Sequence, residues 1–168
     1  MTRLIAALGA LFALTGCTVP AVGLTGVGLA SDGGVVGYLA VCEEHIDGVT
    51  LYMDDRSGPW GDGQDAGRWA SRVPVTASAN WALSGTSPDW TTELALEDLR
   101  PDQPYVMYGW TRDDSSSTAP VNFTLKDLQG LKPGRVLFFG GYDEEHDRDI
   151  QRVGSPSDMR SFACSDSP

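Results

Sequence analysis

The sequence predicts an all-β fold, an antiparallel sandwich of seven to nine short strands, and three observations carry that expectation. Over eleven positions Val73, Val75, Ala77, Ala79, Trp81 and Leu83 share one phase while Pro74, Thr76, Ser78 and Asn80 lie on the other, a period of two that a helix cannot satisfy. Short apolar runs recur along the chain with Gly, Pro, Asp and Ser between them. No long stretch shows the 3.6-residue period of a helix, and no repeat of solenoid or propeller length is visible.

The elements follow in order. Residues 17–31 are rich in Gly, Val and Thr, and read as a tether with Val22 to Leu29 open to being a first strand. Asp32-Gly33-Gly34 is a turn. Val35 to Cys42 is apolar on both phases, as expected of a strand covered on both sides, and Val49 to Met53 alternates. Residues 54–68 are dense in Asp and Gly and read as a long surface loop. The strand of residues 73–83 follows, with Pro74 on its polar phase near the start, where a missing donor is tolerated.

Trp90, Thr92, Leu94 and Leu96 repeat the alternation, Tyr105 to Thr111 is a further strand, and Val121, Phe123 and Leu125 alternate again. Lys126 to Pro133 suits a short helical turn that buries Leu128 and Leu131. Arg135 to Gly140 is apolar on both phases and therefore central, Asp143 to Asp149 is an acidic loop, and Met159 to Cys164 is expected as the last strand. The folded domain is accordingly placed at residues 32–168.

The N-terminus has a separate character. Arg3 precedes an uncharged run from Leu4 to Leu14, which as a helix spans roughly 16 Å, about half a bilayer core. The run has the length of a signal-peptide core. It ends in Leu14-Thr15-Gly16-Cys17, which resembles the lipobox of bacterial lipoproteins. The resemblance implies cleavage between Gly16 and Cys17, a diacylglyceryl group on the Cys17 thiol, and a protein held on the extracytoplasmic face of the cell membrane. Two acyl chains suffice for stable anchoring, since each buried methylene contributes about 0.8 kcal/mol.

Removing residues 1–16 takes away Arg3 alone among the charged side chains and leaves 11 basic against 23 acidic groups in 152 residues. That imbalance argues against nucleic acid as a partner and against electrostatic adhesion to an anionic membrane. If lipid consumes Cys17, the three cysteines reduce to Cys42 and Cys164, an expected disulfide in an oxidising compartment.

A second resemblance is local. Leu99-x-Pro101-x-x-x-Tyr105, followed by Val106, Tyr108 and Trp110, is similar to a stretch of fibronectin type III domains. It implies an immunoglobulin-like sandwich in which the Tyr105 hydroxyl bonds to nearby backbone.

Candidate functional residues are few. His45 and His146 both sit in charged turns, and no G-x-S-x-G elbow accompanies the many serines. Asp54, Asp55, Asp62 and Asp65 in one loop, and Asp143, Glu145 and Asp147 in another, are hard-oxygen ligands of the kind that suits Ca²⁺, without the register of an EF-hand. Trp60 and Trp69 flank the long loop as candidate ligand contacts. Asn122-Phe123-Thr124 has the form of a glycosylation sequon that a bacterial lipoprotein would leave unused. These residues favour a non-enzymatic binding or accessory module without a cofactor, bound to the membrane through its lipid and to an envelope polymer or protein through its loops. The alternative is an envelope or carbohydrate-active hydrolase, which requires Asp54 or Asp62 to face Asp143 or Glu145 across a cleft.

Overall fold

The computed structural model describes residues 19–54 and 63–165. Among them the chain forms β1 (Ala21–Leu29), β2 (Val35–Val41), β3 (Ile46–Met53), β4 (Gln64–Val75), β5 (Ser78–Ala82), β6 (Trp90–Leu94) and β7 (Tyr105–Trp110). Then follow β8 (Ser117–Ala119), β9 (Val121–Phe123), α1 (Leu125–Gln129), β10 (Val136–Asp143), β11 (Arg148–Gly154) and α2 (Pro156–Ser165). The protein is all-β, as its sequence predicts, with the strands linked into one nearly closed sheet.

Two walls make up that sheet. One runs β5-β2-β1-β10-β11 and is antiparallel throughout. The other runs β6-β4-β3-β7, with β8 and β9 both on the remaining edge of β7. They join where the first half of β1 pairs in parallel with β8, Ala21 opposite Ser117 and Leu24 opposite Ala119. Among the described residues, eleven strands, one parallel pair and a C-terminal helix go beyond the seven to nine strands of the immunoglobulin plan.

Alternation decides what lies inside. Val27, Leu39 and Val41 of the first wall face Val49, Leu51, Trp69 and Met107 of the second, all of them buried. The gap between β5 and β6 is filled by indoles. Trp81 lies 4.6 Å from Trp90 and 6.1 Å from Trp69, centroid to centroid. Tyr105 is buried, and its hydroxyl accepts the Arg100 N–H at 2.9 Å, the backbone bond that the fibronectin-like stretch implies.

The first wall is covered on its outer face too. Leu24, Ala40, Val136 and Phe138 pack there against Met159 of α2. This second layer is the reason residues 35–42 and 135–140 are apolar on both phases.

Five expectations change. Residues 22–29 are strand, which takes them out of the expected 17–31 tether and starts the folded part near residue 20 rather than at residue 32. The long loop is also shorter than expected, because β4 already begins at Gln64. The alternating stretch at 73–83 is divided by a bend at residues 76–77 between β4 and β5, and Val73 is 70% exposed at the end of β4. The acidic run at 143–149 is the turn of a hairpin whose second strand, β11, has little apolar alternation to announce it.

The fifth change is the C-terminal segment, which is helix rather than strand. Met159, Phe162 and Ala163 stand at i, i+3 and i+4, the spacing of one helical face. Ser155-Pro156-Ser157-Asp158 is a start signal: the Ser155 N–H donates to the Asp158 carboxylate at 2.8 Å and the Asp158 N–H to Ser155 Oγ at 3.1 Å. Replacing Ser155 by Ala is expected to cost about 1 kcal/mol, read as a lower urea midpoint.

The same bonds, led by the Ser155 backbone N–H, hold the Asp158 carboxyl below its usual value of 3.8. Because the folded pKa is the lower one, this stabilisation is complete above the unfolded value. It is lost as pH falls through the folded one. The Asp158→Asn protein should therefore lose less stability than wild type on acidification below about pH 4.

Candidate functional site

Among the described residues, those singled out in the sequence do not converge on one site. Gly16, Cys17, Asp55, Trp60 and Asp62 lie outside the described residues. Cys42 and Cys164 are disulfide-bonded, with Cα atoms 5.4 Å apart, and the bridge ties the end of β2 to α2 rather than to a last strand. Trp69 cannot be an exposed ligand contact: it points inward from β4 and is 1% exposed.

The acidic groups are engaged locally. Asp143 meets His146 Nδ1 at 2.9 Å and Arg148 Nε at 3.4 Å, while Asp147 accepts the Tyr142 hydroxyl. Asp149 takes the Asn122 side-chain N–H at 2.8 Å. Among the described residues no group of three His, Cys, Asp or Glu is placed to hold a metal ion. Strand directions also separate Asp54 from Asp143. β3 runs parallel to β1 and ends at Met53, just before Asp54, whereas β10 runs the opposite way and ends at Asp143. Asp54 and Asp143 therefore stand at opposite ends of the sandwich.

A groove of about 860 Å³ does exist, on the outer face of the second wall. Tyr52 of β3, Arg68 of β4, and Tyr108 and Trp110 of β7 line it from solvent-facing positions. Thr50 pairs with Tyr108 on one side and Arg68 on the other, which sets these side chains across neighbouring strands. Tyr52 and Tyr108 meet edge to face at 6.1 Å. Burial, with Asp54 and Tyr108 nearby, raises the Tyr52 pKa, so its hydroxyl is a neutral donor at physiological pH.

Trp110 and Arg68 form the floor. Gly48 on β3 lets the indole lie against the backbone, since a Cβ there would be 2.3 Å from Trp110 Cζ2. The indole N–H donates to Thr50 Oγ1 at 2.9 Å. Above the ring sits the Arg68 guanidinium, 4.4 Å from its centroid, with Nε donating to Glu93 at 3.0 Å. Glu93 thus takes one of the five guanidinium donors, and the terminal nitrogens belong to a cation held in place by two partners.

One end of the groove is built by the β7–β8 hairpin. Asp47, with its side chain 7% exposed, accepts the Arg112 backbone N–H at 2.9 Å and faces Arg112 Nη1 at 3.5 Å and His45 Nε2 at 3.4 Å. Thr111 Oγ1 accepts the Ser116 N–H at 3.0 Å, and Thr118 Oγ1 accepts the Gly109 N–H at 2.7 Å. Asp113 accepts both the N–H and the hydroxyl of Ser115, which lowers its pKa to about 2. These bonds fix a turn that presents Arg112, Asp114 and Ser116 to the groove.

The groove offers aromatic faces, hydroxyls and an ordered cation to a ligand, and the two imidazoles meet carboxylates, His45 with Asp47 and His146 with Asp143. Sequence reasoning missed the groove because Arg68 fell in an expected loop and Tyr108 and Trp110 read as ordinary strand residues. The available signal was a strand apolar on both phases whose second phase holds two aromatics. Comparison with family models, with curated proteins and with solved structures finds no match.

Proposed function

We propose that this chain is a bacterial envelope lipoprotein, anchored through Cys17, whose sandwich is a non-enzymatic binding module for a glycan bearing hydroxyl and carboxylate groups. The observation that supports this reading is the Arg68–Trp110 stack, flanked by Tyr52 and Tyr108, on a face where alternation ordinarily places small polar residues. Aromatic rings offer apolar area at low entropic cost together with polar tips, and the ordered guanidinium supplies paired donors to acceptor oxygens. A cation positioned before the ligand arrives loses little freedom on binding.

Co-sedimentation with insoluble peptidoglycan and titration with a soluble acidic polysaccharide test the binding half. Wild type should bind at least one of them. Arg68→Ala should weaken binding about tenfold or more, the worth of one hydrogen bond to a charged group. A wild-type protein retained by neither probe, or an Arg68→Ala protein that binds as well, overturns the glycan reading. Intact mass of the membrane-extracted protein tests the anchor: a diacylglyceryl adduct on an N-terminal Cys17, and two thiols appearing only after reduction, are the expected result.

A further inference from the structure

The expected tether of residues 17–31 would let the domain swing freely above the membrane, and the fold does not permit that. The Pro20 carbonyl already accepts the Ser117 N–H at 2.9 Å, and β1 is paired from Ala21 onward. Val19 lines the groove. Only two peptide units separate Val19 from Cys17, a reach of at most about 7 Å. The β7–β8 turn, with Arg112, Asp114 and Ser116, stands at this same end of the sandwich, because β8 runs parallel to β1 and starts opposite Ala21.

We propose that lipid on Cys17 mounts the sandwich with the Val19 mouth of its groove toward the bilayer. The proposal rests on the lipoprotein reading above. The opposite end, with the Ser31–Gly34 turn, lies roughly 30 Å away along the nine residues of β1 and faces outward. Glu43, Glu44, Asp113 and Asp114 border the mounted end, since β2 finishes opposite the start of β1. These groups repel an anionic surface within a Debye length, about 8 Å at physiological salt, and the short link to Cys17 works against that repulsion.

Single-cysteine labelling of the full lipidated protein tests the orientation. Ser115→Cys places a fluorophore at the mounted end and Ser31→Cys at the other, both at exposed positions. On vesicles of zwitterionic and anionic phospholipid containing a quencher on the headgroup, the Ser115 label should be quenched severalfold more than the Ser31 label. Added salt should deepen the quenching of the Ser115 label on the anionic vesicles. A flexible Gly/Ser insert of about 20 residues between Thr18 and Val19, reaching roughly 25 Å, should make the two labels alike. Equal quenching without the insert, in protein whose mass shows the lipid adduct, overturns the mounting and leaves the anchor standing. Absence of the adduct overturns the anchor and the mounting together.

Discussion

Replacing Cys42 and Cys164 with serine is expected to cost about 3 to 5 kcal/mol, the upper figure being the chain-entropy value for a loop of this length. A domain of this size moves by about 2–4 °C per kcal/mol, so the thermal midpoint should fall by roughly 6–20 °C. The bridge joins the end of β2, an inner strand of the first wall, to a helix that otherwise holds through Met159, Phe162 and their neighbours. Its loss frees α2 to detach, exposing Leu24, Val136 and Phe138 on the outer face of that wall. Calorimetry of the double-serine protein beside reduced wild type is the measurement. Agreement between the two assigns the loss to the bond itself, and a midpoint unchanged in both would show that the bridge contributes nothing to stability.

Truncating Trp81 to Ala should cost about 3–5 kcal/mol, the range for a large aromatic removed from a core. Trp81 is 1% exposed and stands between Trp69 and Trp90, where β5 and β6 approach without a strand pairing between them. Its ring also lies on β2 at Gly37, where a Cβ would come within 2.2 Å of Cζ2. Trp81→Phe should cost clearly less, because the indole N–H it removes is buried without a hydrogen-bond partner. Urea midpoints of the two variants decide this. Equal losses would mean that the indole nitrogen is satisfied in solution and that the ring's full width is required. Trp110→Ala is the useful contrast: its ring lies on the solvent face, so ligand binding should suffer much more than the urea midpoint.

Much of the fold was legible in the sequence because it depends on short-range regularity. A strand buried on one face must alternate, as β5 does, and a strand buried on both must not, as residues 35–42 and 135–140 show. The Tyr105 corner and the turn at Gly33, with its φ of +85°, are equally local, since each needs a particular residue at a particular place. The C-terminal helix was legible as well, in Ser155-Pro156-Ser157-Asp158 and in the spacing of Met159, Phe162 and Ala163. An all-β expectation for the whole chain outweighed those local signs.

The candidate site was a different matter. Tyr52, Arg68 and Trp110 come from three strands, and Arg68 faces Trp110 only because β4 and β7 both flank β3. Period two states that a residue points outward but is silent on which strand lies beside it. The fate of the tryptophans shows the same division: by sequence position Trp69 adjoins a polar loop, yet the registry of β4 turns it into the core. The sequence alone therefore determined the all-β class, the both-face burial of two strands and the expectation of a Cys42–Cys164 bridge, since each follows from residue type and spacing. Only the tertiary structure decided the strand order, the short reach from Cys17 to the domain and the existence of the groove. These depend on pairings between residues far apart in the chain, which no local pattern encodes.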